Sequence, residues 1–212
     1  MLGKFVTIEG CEGVGKSTQV KKLNEYLSAR GIKAVFTREP GGTPISEQIR
    51  SIILNSENAS MDDVTELMLY VAARRQHTAQ FIKPELEKGN LVICDRYADS
   101  TTAYQGYARG LGAETVEKLN ALAVGDVKID LTVFLDFPPE QAFARKGGRD
   151  EGDRLENEKI DFHKRVYEGF CRIAERQPDR VIRLDASGTK QQTHEKIIAA
   201  LIERGIIPPE ND

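Results

Sequence analysis

The chain has 212 residues, with 30 Lys plus Arg against 33 Asp plus Glu and a formal net charge of −3, enough length for one sizeable core in a single domain, 1–212, and none of the basic excess with which proteins grip a nucleic-acid backbone. No apolar run approaches the roughly 20 residues of a membrane span, and the run from Phe5 to Ile8 meets Glu9 too early for a signal peptide. Three widely spaced cysteines, Cys11, Cys94 and Cys171, predict neither a disulfide framework nor a zinc site, so the expectation is a soluble, cytoplasmic protein that binds neither membrane nor nucleic acid.

In chain order, Phe5 to Glu9 is the first of five short runs rich in Val, Ile, Phe and Leu; the others are Ala34 to Arg38, Leu91 to Asp95, Leu131 to Asp136 and Arg180 to Asp185. Their length and composition predict buried strands. Between them lie helical patterns at three-to-four spacing, such as Val20, Leu23 and Leu27, or Ile160, Val166, Tyr167, Phe170 and Ile173. Strands alternating with helices predict an α/β fold with a five-stranded parallel sheet between helical layers. Four runs end in an acidic residue, and Arg38 at the end of the second is followed by Glu39. Ligands of open parallel sheets bind beyond the carboxyl ends of the strands, so that edge is where chemistry is expected. The tail after Ile207 reads as a frayed terminus.

Directly after the first run comes Gly10-Cys11-Glu12-Gly13-Val14-Gly15-Lys16-Ser17-Thr18, which fits G-x-x-x-x-G-K-[ST] and opens a helix. Such glycines let backbone N–H groups turn inward around a phosphate, Lys16 reaches the β and γ oxygens, and Ser17 can ligate Mg²⁺. The three-layer α/β/α fold of P-loop NTPases follows. A dinucleotide fold is disfavoured, because the spacing is not G-x-G-x-x-G. A GTPase is disfavoured too: Val127-Lys128-Ile129-Asp130 lacks the Asn of a guanine-reading Asn-Lys-x-Asp.

At the end of the third run stands Asp95-Arg96-Tyr97. Asp95 can hold the hydration shell of Mg²⁺, while Arg96 offers a bidentate fork to a second, acceptor phosphate. A basic, glycine-containing stretch, Arg145 to Arg154, follows the fourth run and reads as a short lid of about 144–155. A closing loop of that kind would exclude water and bring an arginine to the transferring group; a solvated loop of mixed charge is the competing reading.

These blocks resemble bacterial thymidylate kinases, members of the P-loop nucleoside monophosphate kinases, from the first strand to the last. The resemblance rests on Ile8-Glu9-Gly10 and the P-loop, Thr37 to Thr43, Leu69 to His77, Asp95 to Gly106, and Asp153-Arg154-Leu155-Glu156, in family order. It implies an ATP site at Gly10 to Thr18 and a thymidylate site built from the other blocks. Tyr70 matches the aromatic position that stacks on thymine, Arg74 the donor to a pyrimidine carbonyl, and Gln105 the amide facing the ring N–H. Arg96 and Arg50 match positions that hold the acceptor's 5′-phosphate, and Tyr104 the position that discriminates deoxyribose. Glu12 matches an acid near the sugar hydroxyl or the metal's water; Glu39 with Pro40 lines the acceptor pocket, and Thr101 belongs to it. Two features depart from the family pattern: the stacking residue, usually Phe, is Tyr70, and the lid is leaner in arginine. Some members carry a catalytic arginine inside the P-loop, where this chain has Glu12; here that charge is expected from Arg149 rather than Arg154. The resemblance also implies a homodimer.

The expected reaction is transfer of the γ-phosphoryl group of Mg·ATP to dTMP, with Lys16, Arg96, Arg149 and Glu12 as the catalytic group and Ser17 and Asp95 at the metal. The attacking phosphate is already an oxyanion, so His77, His163 and His194 are not needed as bases. The alternatives are a kinase of the same fold acting on another nucleotide and a regulatory nucleotide-binding protein without acceptor dependence.

Overall fold

The five apolar runs form one parallel sheet, and its order explains the composition of each. In the computed structural model, which describes residues 2–145 and 153–209, the strands are β1 (Phe5–Glu9), β2 (Ala34–Arg38), β3 (Leu91–Asp95), β4 (Leu131–Asp136) and β5 (Val181–Asp185). They lie in the order β2-β3-β1-β4-β5. The three central strands are buried nearly end to end, whereas edge strand β2 is only partly buried along its length and edge strand β5 reaches exposed positions at Arg183 and Asp185. Continuous apolar runs are what a parallel strand covered on both faces requires. β5 starts one residue later than expected, at Val181: the backbone N–H of Arg180 closes the preceding turn on Gln177 O at 3.1 Å, and its side chain pairs with Asp99 at 2.7 Å.

Successive side chains of a strand point to opposite faces, and the two faces of this sheet have separate cores. Val6 and Ile8 of β1 and Leu91 and Ile93 of β3 join the larger core with Leu23 and Leu27 of helix α1 (Lys16–Ala29). Phe5, Val92 and Cys94 join a smaller core with Ile82, Leu86 and Tyr97. The three α/β/α layers follow.

Further helices are α2 (Pro44–Leu54), α3 (Asp63–His77), α4 (Lys83–Glu87), α5 (Ala98–Thr101), α6 (Ala113–Val124), α7 (Pro139–Arg145), α8 (Ile160–Arg176) and α9 (Lys190–Glu203). Asp62 caps α3, accepting from the backbone N–H of Val64 and Thr65 at 3.0 and 3.1 Å. A π-helical stretch, Thr102–Ala108, continues α5; such widened turns recur at functional sites, and this one carries Tyr104 and Gln105. The expected amphipathic pattern of α8 holds, with Val166, Phe170 and Ile173 buried. Leu67 of α3 is buried in the core, while the exposed large apolar side chains of α2 and α3 are Ile45, Ile52, Val64 and Met68. Among the described residues no helix is long and apolar enough to cross a membrane.

Candidate active site

The register of the sheet places two sequence motifs side by side. Ile8 pairs with Asp95 across β1 and β3, so the turn after β1 and the Asp95-Arg96-Tyr97 segment leave the same edge together. Gly10, Gly13 and Gly15 adopt φ values of 146°, 75° and 96°, which residues with a Cβ rarely reach. At Gly10 a Cβ would also lie 3.0 Å from the Leu135 carbonyl oxygen. Helix α1 then begins at Lys16 with no side-chain cap and no acidic residue in its first turn, leaving its first N–H groups for an anion.

Lys16, only 7% exposed, donates to the carbonyls of Gly10 and Cys11 at 2.9 and 2.8 Å. Burial, and then the Arg96 charge, push its ammonium below the usual lysine range. Gly10, Cys11 and Val14 are buried beneath the turn. Burial pushes the Cys11 thiol up to about 12, so it stays protonated and unreactive.

Arg96 is the one described non-glycine residue with positive φ, at 65°. A left-handed backbone costs about 1–2 kcal/mol for such a residue and marks a constrained site. The conformation turns the guanidinium back over the P-loop: Nη1 donates to Gly10 O at 3.0 Å and to Ser100 Oγ at 3.2 Å, and Nη2 pairs with Glu12 Oε1. Tyr104 donates its hydroxyl to the same Glu12 oxygen at 3.0 Å. Burial alone would raise the Glu12 carboxyl, but the Arg96 and Lys16 charges outweigh it and hold it at about 2. Beneath them Glu9 accepts from Tyr97 N at 2.7 Å and Ser100 Oγ at 2.6 Å; burial, followed by the Asp99 charge, pushes its carboxyl up to about 7. Asp95 Oδ1 is buried with no hydrogen-bond partner among the described residues.

The expected acceptor residues face this cradle. Tyr70 and Arg74 come from α3, with Glu39 and Pro40 between β2 and α2. Arg74, 1% exposed, is committed to protein partners: Nε to Glu39 at 2.8 Å, Nη1 to Asn120 at 2.6 Å, and Nη2 to Tyr97 O and Thr101 Oγ1 at 3.0 and 2.9 Å. Thr101 therefore serves Arg74 as well as the cleft. The other Glu39 oxygen meets His77 Nδ1 at 2.9 Å, so His77 is structural. Arg50 Nη1 donates to Pro40 O at 2.7 Å.

A single cleft of about 440 Å³ is lined by Glu12, Gly13, Gly15, Lys16, Ser17 and Thr18 of the P-loop and by Glu39, Pro40, Arg50, Tyr70, Arg74, Asp95, Arg96, Thr101, Tyr104 and Gln105 from the other segments. Of the expected site residues, Gly10, Cys11 and Val14 support it from below, and Arg149 lies outside the described residues. Arg154 is tied down: Nε donates to Ile53 O at 2.9 Å, at the end of α2, and Nη2 pairs with Glu66. Arg38 and Ser100 also line the cleft, without having been singled out from the sequence. Glu9, Glu66 and Asn120 hold the lining residues Tyr97, Gln105 and Arg74 from behind; Glu9 stood out as an acid at a strand end and in Ile8-Glu9-Gly10, and Asn120 lies in no motif.

The thymidylate kinase family model matches residues 8–197. The chain belongs to the thymidylate kinase family. Thymidylate kinases of Clostridium novyi and of a Psychrobacter strain are 46% and 48% identical to it over 92% of this chain and 96% and 95% of theirs. The crystal structure of thymidylate kinase from Ehrlichia chaffeensis superposes with a TM-score of 0.76 at 35% identity, covering 95% of this chain and 99% of that one. The fold is thus the P-loop fold of this family, and the family match, residues 8–197, spans both the P-loop and the other segments that line the cleft.

Proposed function

We infer that the chain transfers the γ-phosphoryl group of ATP to the 5′-phosphate of dTMP, giving dTDP and ADP. The observation that carries this reading is one cleft lined by the P-loop with Lys16, by two further guanidinium groups, Arg96 and Arg50, and by the ring of Tyr70 and the amide of Gln105. A regulatory nucleotide binder needs only the P-loop. In-line transfer between phosphates requires alignment and neutralisation of charge rather than a strong base. Lys16 neutralises the donor phosphate, and Arg96, aimed by its left-handed backbone and by Ser100, holds the acceptor. Glu12, kept ionised by Arg96, sits beside Tyr104 at the sugar. Arg149 is the proposed lid charge, since Arg154 is occupied by Glu66.

The residues fit Mg²⁺. Asp95 has a buried, unpartnered oxygen, Ser17 faces the cleft, and one carboxylate plus one hydroxyl is the sparse donor set that suits a hydrated ion shared with substrate phosphates. When bound, Mg²⁺ would offset the negative charge of the β and γ oxygens. A homodimer is part of the proposal, supported by the exposed apolar side chains of α2 and α3, Ile45, Ile52, Val64 and Met68. A cytoplasmic location is proposed with it, in keeping with three unpaired cysteines.

ADP release from ATP and Mg²⁺ is measured with dTMP, dUMP, dCMP, dGMP, thymidine or no acceptor. Turnover stimulated chiefly by dTMP, less by dUMP and hardly by thymidine is expected. ADP release indifferent to the acceptor refutes the reading in favour of a nucleotide-binding regulator.

A further inference from the structure

Gln105 is 1% exposed and lines the cleft. Its amide could face the cleft in two ways, and the choice decides what it reads. Nε2 donates to Glu66 Oε1 at 2.7 Å, whereas Oε1 is buried with no hydrogen-bond partner among the described residues. Glu66 lies on α3, one helical turn before Tyr70, is fully buried, and does not line the cleft. Its carboxylate also meets Arg154 Nη2 and Arg109 Nη2, the latter at 3.2 Å. Facing two guanidinium groups, it serves as an acceptor only. A carboxylate in that place permits one amide orientation: NH₂ toward Glu66, carbonyl toward the ligand.

We propose that Glu66 is the positioning residue that makes this enzyme select 4-keto over 4-amino pyrimidine nucleotides, by fixing the carbonyl of Gln105 toward the base. The inference rests on the thymidylate reading of the cleft. Thymine and uracil carry an N–H at ring position 3, which the fixed carbonyl accepts. Cytosine carries a lone pair there, so two acceptors would face each other in a buried site, an arrangement that proteins reject strongly. Arg109 and Arg154 belong to the same device, because their N–H groups can only donate to Glu66 and fix where its oxygens lie, and Arg109 is itself held by Asp63 at 3.3 Å and Glu158 at 2.6 Å.

Glu66→Gln is the direct test. The new carbonyl is claimed by the arginines at the former Oε2, so the new NH₂ faces Gln105, which turns its carbonyl back toward residue 66 and its NH₂ into the cleft. The ratio of kcat/KM for dTMP over dCMP is expected to fall at least about tenfold, with dCMP turnover rising in absolute terms, which a merely structural loss cannot produce. If Glu66→Gln does not fold, Glu66→Asp is read in the same way: it keeps the charge for the arginines but is one methylene short of Gln105, which frees the amide to turn. Turnover of dTMP and dCMP falling by one common factor, or an unchanged ratio, overturns the proposal while leaving the dTMP kinase reading intact. Wild-type protein without dTMP turnover refutes that reading, and this inference with it.

Discussion

Replacing Lys16 with methionine separates catalysis from stability. The Lys16 ammonium is bound by two carbonyls, at 2.9 and 2.8 Å, and is almost fully desolvated. Each charge-assisted bond contributes about 1.5–3 kcal/mol, so removing both costs about 3–6 kcal/mol. Against this, the desolvation of a buried ammonium is an unfavourable term of several kcal/mol that the variant no longer carries. Methionine is of similar length and fills the space. The opposed terms leave an expected change in stability within about 2 kcal/mol, or roughly 4–8 °C in Tm for a domain of this size. Turnover has no such compensation, because the charge facing the transferring phosphoryl group is gone; a loss of at least about 10³ in kcat is expected. Coupled ADP release at saturating dTMP measures the loss, and thermal unfolding of the same preparation measures the stability. A variant within tenfold of wild type refutes the role of Lys16 in transfer, and a Tm drop well beyond about 10 °C would show that its main work is structural.

Glu9→Gln is expected to stabilise the protein in a pH-dependent way. The Glu9 carboxyl is pushed up from an ordinary 4.5 to about 7, so the folded state keeps a proton that the unfolded chain releases. Stability from this group is intact below pH 4.5 and is lost as pH rises toward 7. At about 1.4 kcal/mol per pH unit the variant should gain about 3 kcal/mol over wild type between those limits; denaturant unfolding at pH 5 and pH 8 checks this, and an equal difference at both values contradicts it. Gly42→Ala is expected to destabilise by about 3 kcal/mol. Gly42 has φ of 86°, and a Cβ would lie 2.6 Å from His77 Cδ2 and 2.7 Å from Thr37 Oγ1, against an imidazole pinned by Glu39, so backbone strain and overpacking add. Gly31→Ala, with φ of 64° and open space around it, carries the strain alone, and comparable melting points for the two variants would contradict the packing argument.

The strands and the phosphate cradle are legible in the sequence because their causes are local. A strand buried on both faces needs a continuous apolar run, and Phe5 to Glu9 or Leu131 to Asp136 supplies it residue by residue. The turn from Gly10 to Gly15 needs glycines at fixed spacing, and Lys16 follows directly in the chain. The same reasoning explains where sequence reading stops. The sequence favours Arg149 over Arg154, but it does not show what ties down Arg154, a carboxylate 88 positions away, Glu66, together with the end of α2. Arg74 reads as a ligand donor, yet four of its five N–H groups go to Glu39, Asn120, Tyr97 and Thr101, partners drawn from three separate segments. Glu66 lies in no motif, and the block Ile8-Glu9-Gly10 does not show that Glu9 holds Tyr97 and Ser100. A buried charge must find partners or be neutralised, but which partners it finds depends on how helices cross and where the sheet edge brings them. The sequence by itself therefore determined the P-loop fold, the cradle and the family. Only the tertiary structure decided which arginines face the cleft, which are consumed behind it, and which way the Gln105 amide points, because those outcomes follow from long-range pairing in a desolvated interior.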